Sequence, residues 1–265
     1  MHTLSAYIEG IGLLGPGLTG WPISQAVLSG REPYQPHKTV LPASALLPAA
    51  ERRRSGAIVK LALATGLEAI AAAGLDAASL PSVFSASGGD GENCHIICEM
   101  LASADRQISP TRFHNSVHNV AAGYWSIATG AMATSSVLCA FDASFGAGLL
   151  EALTQVVVDN TRTVFLACDT AYPEPLYSVR PIPDAFGIAL VLAPQRSAQA
   201  LAQITVSLTD AGADRLDDDE LEYLRMAIPA ARGLPLLRAI ALRQDKHVVL
   251  DYLDSTRLAV AIALC

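Results

Sequence analysis

Apolar positions along this chain follow two rhythms. Strand-length apolar runs recur at Tyr7 to Leu14, Ser82 to Ser87, Ser135 to Ala140, Thr163 to Cys168, Phe186 to Leu192, Ala202 to Leu208, His247 to Leu250 and Leu258 to Leu264. Between them, helical spacing predicts helices over Pro22 to Leu28, Gly56 to Ala73, Glu92 to Ala104, Ser116 to Thr129, Gly146 to Val158 and Asp218 to Met226. Long apolar strands separated by helices need cover on both faces of a sheet, so the pattern predicts an α/β layered fold. Two loops rich in proline and glycine, Gly30 to Ala50 and Pro173 to Pro183, break the order and predict surface excursions near an interface or tunnel mouth. The acidic run Asp217 to Glu220 fits a helix N-cap, since the glycine and spacing of a calcium loop are missing. No internal repeat is visible in the sequence.

One stretch has the outline of a catalytic elbow. The run Ser135 to Ala140 leads through Phe141-Asp142-Ala143-Ser144 into a small-residue segment, Phe145 to Ala152, that continues as an apolar helix. Such a strand, turn and helix place a central side chain where free N–H groups and the helix dipole stabilise a thiolate or oxyanion. The candidates for that position are Phe141 and Ser144. Ser144 lies in Asp142-Ala143-Ser144-Phe145-Gly146, a hydrolase-like G-x-S-x-G with Asp142 in place of the first glycine. A serine hydrolase here would draw on Asp169, Asp184 or Asp251 together with His247. His114 and His118 lie four apart, so they are placed to share a helical face as a metal, acid/base or interfacial pair. Phe113, Ile97, Cys98 and Leu101 read from residue type alone as core.

Composition narrows the classes. Hydrophobic residues make up 51% and charged residues 16%, a balance that predicts surface hidden in a partner. At 265 residues, one large domain or two small ones fit. The net charge of -7 opposes nucleic-acid binding, and Arg52-Arg53-Arg54 reads as a solvated turn before a helix. The best candidate membrane span, Val137 to Val158, contains Asp142 and Glu151, so no span is expected. With no basic region, apolar core and cleavage site at the start, a soluble cytoplasmic protein is the expectation. The five cysteines (Cys94, Cys98, Cys139, Cys168 and Cys265) read as buried free thiols in a reducing compartment. Cys94 and Cys98 share a helical face, but a second ligand pair with zinc spacing is missing, so neither metal nor cofactor is expected.

The elbow and its surroundings resemble the nucleophile region of the thiolase-like β-ketoacyl synthases. Ser109-Pro110, Asn119-Val120-Ala121-Ala122-Gly123-Tyr124-Trp125-Ser126-Ile127 and Ser136-Val137-Leu138-Cys139-Ala140-Phe141 match that family's pattern in order and approximate spacing. Tyr7 to Leu14 resembles its opening strand, Glu68 to Leu75 its "E-A-L-x-x-A-G-L" helix end, and Asp184 to Leu192 its strand "G-E-G-A-G-x-L-V-L". The resemblance implies an α/β/α/β/α layered fold, with residues 1–195 as the N-terminal half and 196–265 as a truncated C-terminal half of the same domain. Leu258 to Leu264 would be the remnant of its last strand.

The same resemblance implies loss of catalysis. Phe141 stands where the family has its cysteine, and a phenyl ring cannot form a thioester. The family also uses two downstream histidines, whereas the only histidine after Phe141 is His247. Synthase-like subunits that lack the cysteine and pair with an active ketosynthase are called chain length factors. This chain resembles them, and its shortness, with Phe141 in place of the glutamine of many such factors, resembles the compact type of aryl polyene pathways. The resemblance implies no independent activity, a catalytic ketosynthase as partner, and an acyl carrier protein met indirectly. Phe113, Ile97, Cys98 and Leu101 would border the partner's acyl tunnel, with His114, Val117, His118 and Asn119 at the interface. Phe141 would fill its own vestigial pocket.

Overall fold

The structure, a computed structural model, describes residues 3–265. Its strands are β1 (Leu4–Gly15), β2 (Leu18–Thr19), β3 (Ser82–Ser85), β4 (Ser135–Leu138), β5 (Thr163–Asp169), β6 (Phe186–Ala193), β7 (Ala202–Thr209), β8 (Lys246–Asp251) and β9 (Arg257–Leu264). The helices are α1 (Trp21–Leu28), α2 (Ala49–Arg54), α3 (Ala57–Ala73), α4 (Gly91–Ala102), α5 (Pro110–His114), α6 (Val120–Thr129), α7 (Ser144–Asp159), α8 (Leu176–Val179), α9 (Asp219–Ala227) and α10 (Leu234–Ala241). Every strand expected from the pattern is present. Two helical readings change. Arg52-Arg53-Arg54 forms the last turn of α2 rather than a bare turn, and the expected helix over Ser116 to Thr129 begins only at Val120, as α6, after a turn that follows the short α5. The segment Pro229 to Ala241, a 3₁₀ turn followed by α10, is an element that the pattern does not predict. Both pieces are short and are punctuated by Pro229 and Pro235, so no long helical period marks the segment.

All these strands join one sheet, in the order β4-β3-β5-β6-β1-β7-β9-β8, with β2 paired to β1. β3 runs parallel to β4 and β5, and the remaining pairs are antiparallel. Side chains alternate between two cores, as strand geometry demands. Along β5, Val164, Leu166 and Cys168 join the core under α3 and α6, while Phe165 and Ala167 join the core under α7. Gly10 and Gly12 let β1 approach α3 closely, because a Cβ at either would fall about 2.0 and 1.9 Å from the Ala69 and Thr65 carbonyl oxygens.

The α7 core extends to Leu234, Leu237 and Ile240 and to Val248, Leu258 and Val260, so it joins early and late strands of the chain. Although Phe141–Asp159 has a span's length and composition, Leu149, Ala152, Leu153 and Val156 are fully buried in this core. The expectation of a sheet covered on both faces holds over β3, β5 and β6 and fails over β7, β9 and β8. There the outward positions Gln203, Thr205, Ser207, Ala259 and Ala261 remain partly open to solvent. Small and polar side chains at every second position remove the need for an outer apolar layer.

The sheet also contains a symmetry that the sequence hides. β1 and β7 pair antiparallel at its middle, and each is flanked by an antiparallel strand pair, β6-β5 on one side and β9-β8 on the other. A central helix precedes each pair in the chain, α7 before β5-β6 and α10 before β8-β9.

Candidate functional site

The elbow is retained in backbone form. β4 ends at Leu138, a 3₁₀ turn spans Phe141–Ala143, and α7 begins at Ser144. Phe141 has φ 52, a left-handed conformation that costs a non-glycine residue about 1–2 kcal/mol. Phe145, one turn on, is buried and packs edge-on against Phe165 at 5.4 Å between ring centroids, which anchors the helix start. Gly146 lets the same turn meet the end of β8, since a Cβ there would lie 2.6 Å from the Asp251 carbonyl oxygen.

The chemistry of the elbow is closed by contacts that the sequence does not disclose. Phe141 does not fill a vestigial pocket: it is 60% exposed, and the Arg180 guanidinium sits 3.6 Å above its ring centroid. Left-handed backbone turns the ring outward, where a cation covers its electron-rich face. Arg180 also donates to Asp142 at 2.8 Å, so the Pro173 to Pro183 loop is fastened over the turn.

Ser144 is no nucleophile. It is 1% exposed, its hydroxyl accepts the Ala140 N–H at 3.1 Å, and the carbonyl oxygens of Phe141 (2.7 Å) and Ala86 (3.1 Å) lie within reach of its single proton. The acids that a hydrolase would need are engaged elsewhere. Asp169 accepts the Ser87 N–H and hydroxyl and the Ala230 N–H, Asp184 accepts the Thr39 and Ala185 N–H groups, and Asp251 holds arginines. Burial pushes the Asp169 carboxyl up, against the lowering pull of its three donors. His247 is exposed on β8. The serine-hydrolase expectation therefore fails.

Beside the elbow lies an ionic network joining segments far apart in the chain. Asp142 faces Arg180 and Arg232, Asp251 faces Arg232 at 3.2 Å and Arg225 at 2.5 Å, and Arg225 grips Glu222 with two bonds of 2.7 Å. Arg225 is 4% exposed, and the paired guanidinium holds the Glu222 carboxyl well down, at about 2. These residues come from the elbow, the loop before β6, the 3₁₀ turn, α9 and β8. No spacing in the sequence links them.

The remaining candidates lie on α4, α5, the turn that follows it, α6 and the loop before β4. Phe113 is 67% exposed, Leu101, Val117 and Ile127 are about half exposed, and Met132 is 94% exposed. Ile97 is half-buried, while Cys98, His114 and Asn119 are exposed. The core reading of Phe113, Cys98 and Leu101 thus fails. His114 ends α5 and His118 lies in the turn before α6, so the two share no helical face, and His118 Nε2 is buried without a hydrogen-bond partner. The cysteine expectation changes too: all five are free, but only Cys168 is buried, and Cys94, Cys98, Cys139 and Cys265 are exposed.

The comparisons with known proteins agree with the elbow. No curated protein matches the sequence. Among solved structures, the chain is similar to one described as a ketosynthase (ApeO) in complex with its chain length factor (ApeC) from Xenorhabdus doucetiae, with 24% identity, a TM-score of 0.72, and 97% of this chain and 99% of that one covered. It is also similar to the ishigamide ketosynthase/chain length factor, at 13% identity and a TM-score of 0.71 over 98% of this chain and 99% of that one. A third similar structure, AntDE:AntF, is a type II PKS acyl-carrier protein in complex with its ketosynthase, at 10% identity and a TM-score of 0.74 over 100% of both chains. At these identities the likeness establishes the thiolase-like ketosynthase fold. The sequence itself matches the family "Beta-ketoacyl synthase, N-terminal domain" over residues 28–244. With its strand, left-handed turn and helix in place and that match covering most of its length, this chain belongs to the β-ketoacyl synthase N-terminal domain family.

Proposed function

We propose that this chain is a non-catalytic ketosynthase-like subunit, a chain length factor, that pairs with an active β-ketoacyl-ACP synthase and shapes its acyl tunnel. One observation carries the reading: the elbow keeps its left-handed turn but presents Phe141, while Ser144 is bonded into the backbone. A nucleophile has been lost without loss of the fold that held it. Residues 196–265 serve as the reduced second half, fastened to the elbow by the arginine network.

The exposure of Leu101, Phe113, Val117, Ile127 and Met132, together with the unpaired edge of β4, supports a partner, because exposed apolar side chains and open strand edges are liabilities in an isolated protein. The partner is a catalytic ketosynthase, and the acyl carrier protein delivers its cargo to that partner. Phe113, Ile97, Cys98 and Leu101 border the tunnel, and His114, Val117, His118 and Asn119 belong to the contact. The pathway is of the aryl polyene type and the assembly works in the cytoplasm.

Co-expression with the ketosynthase encoded beside it, followed by intact mass measurement, tests the pairing. A stoichiometric complex supports it, and a lone monodisperse chain that ignores the ketosynthase refutes it. Within the complex, Phe113→Ala or Leu101→Ala is expected to lengthen the product. Unchanged lengths would reduce the subunit to a scaffold.

A further inference from the structure

The proline-rich Gly30 to Ala50 loop and the first turn of α9 enclose an open groove of about 420 Å³ on a face that the elbow does not use. Its walls are Tyr34, Tyr223, Pro16, Pro36, Pro183 and Leu224, and its charged rim carries Asp184, Asp219 and Glu220 against Lys38. Tyr34 is held in place by donating its hydroxyl to the Pro16 carbonyl at 2.9 Å. Tyr223 is 56% exposed, free to receive a ligand on its ring. Asp184 is occupied by two backbone N–H groups, but Asp219 and Glu220 form no ion pair among the described residues. Burial, then the nearby charges of Glu220, Asp218 and Asp184, push the Tyr34 hydroxyl up to about 12.

Aromatic rings beside unpaired carboxylates favour a cation, and a planar guanidinium satisfies both by stacking on a ring while directing its fork of donors at carboxylates. The proline walls and open shape suit an extended chain better than an enclosed small molecule. We propose that this groove binds an arginine side chain presented by an extended segment of a partner protein, stacked on Tyr223 and paired with Asp219 and Glu220.

The probe is the peptide acetyl-Ala-Pro-Arg-Pro-Ala-amide, titrated calorimetrically into the full chain, alone or in its co-purified complex. Saturable binding at about millimolar affinity is expected, weakened about tenfold or more by Tyr223→Ala and by the pair Asp219→Asn and Glu220→Gln. Tyr223, Asp219 and Glu220 are all exposed, so these variants fold. No saturation by about 10 mM, equal binding of the leucine-for-arginine peptide, or full affinity in Tyr223→Ala would each overturn the proposal. Arginine amide binding as tightly as the peptide would also overturn it, by showing a small-cation site rather than a segment site.

Discussion

The elbow and the α4–α5–α6 surface lie close together in the sequence, and they treat their side chains in opposite ways. At the elbow the serine, the acid and the ring are all engaged: Ser144 is bonded to backbone, Asp142 is held by Arg180 and Arg232, and Phe141 is capped by a guanidinium. On the surface, Phe113, Val117, Ile127 and Met132 stand open to solvent. The difference supports the proposed partner role: a group bonded into the backbone is poorly placed to react, and exposed apolar side chains, ordinary one by one, mark an interaction surface when they share a patch.

The comparison is broken most severely at the ionic network. Arg225→Ala leaves the buried Glu222 and the partly buried Asp251 without their shared cation, and is expected to destabilise the chain by about 3–5 kcal/mol in urea unfolding. A loss below about 1 kcal/mol would show the network to be ornamental.

Acid should reach the same network without mutation. The folded-state pKa of Glu222, about 2, lies below its ordinary 4.5, so between these values the unfolded chain binds more protons. Stability is fully present above about pH 4.5 and falls as pH drops towards 2, by at most about 3 kcal/mol from this group. Asp169 has the opposite sign. Its raised pKa makes stability decline as pH rises from its unfolded value through its folded one. A urea titration series on the parent and on Glu222→Gln separates the two, because the acid limb should flatten only in the variant.

Two further changes sharpen the contrast. Met132→Asp and Phe113→Asp, at exposed positions, should shift unfolding by no more than about 0.5 kcal/mol while weakening association with the ketosynthase about tenfold or more in equilibrium sedimentation. Ser144→Ala should do the reverse: a loss of about 1–3 kcal/mol in stability, because the Ala140 N–H loses its buried acceptor, with association unchanged. Association lost in Ser144→Ala and kept in Phe113→Asp would invert the assignment of the two regions.

Much of the fold is legible in the order of residues. The strands can be read because a strand buried on both faces is apolar at nearly every position, as in β5 and β6. The cap of α9 is legible too: Asp218 accepts the Glu220 and Leu221 N–H groups at 3.0 Å, as the acidic run implies. The start of α6 is not, since Ser116 to Thr129 keeps helical spacing although Ser116 to Asn119 form a turn that no glycine or proline marks. Exposure is least legible. Phe113 and Leu101 have the same chemistry as core residues, and only the packing around them decides whether they are covered.

By itself the sequence determined which segments become strands and helices, the resemblance of the elbow to a ketosynthase site, and the absence of a thiol at position 141, because these depend on local periodicity and residue identity. The tertiary structure alone decided that Ser144 is inert, that Phe141 faces outward under Arg180, that Asp142, Asp251, Glu222, Arg225 and Arg232 form one network, and that β1 and β7 lie at the centre of a hidden symmetry. Each of these joins residues far apart in the chain, and no local pattern encodes a contact whose energy exists only when distant segments share a low-dielectric interior.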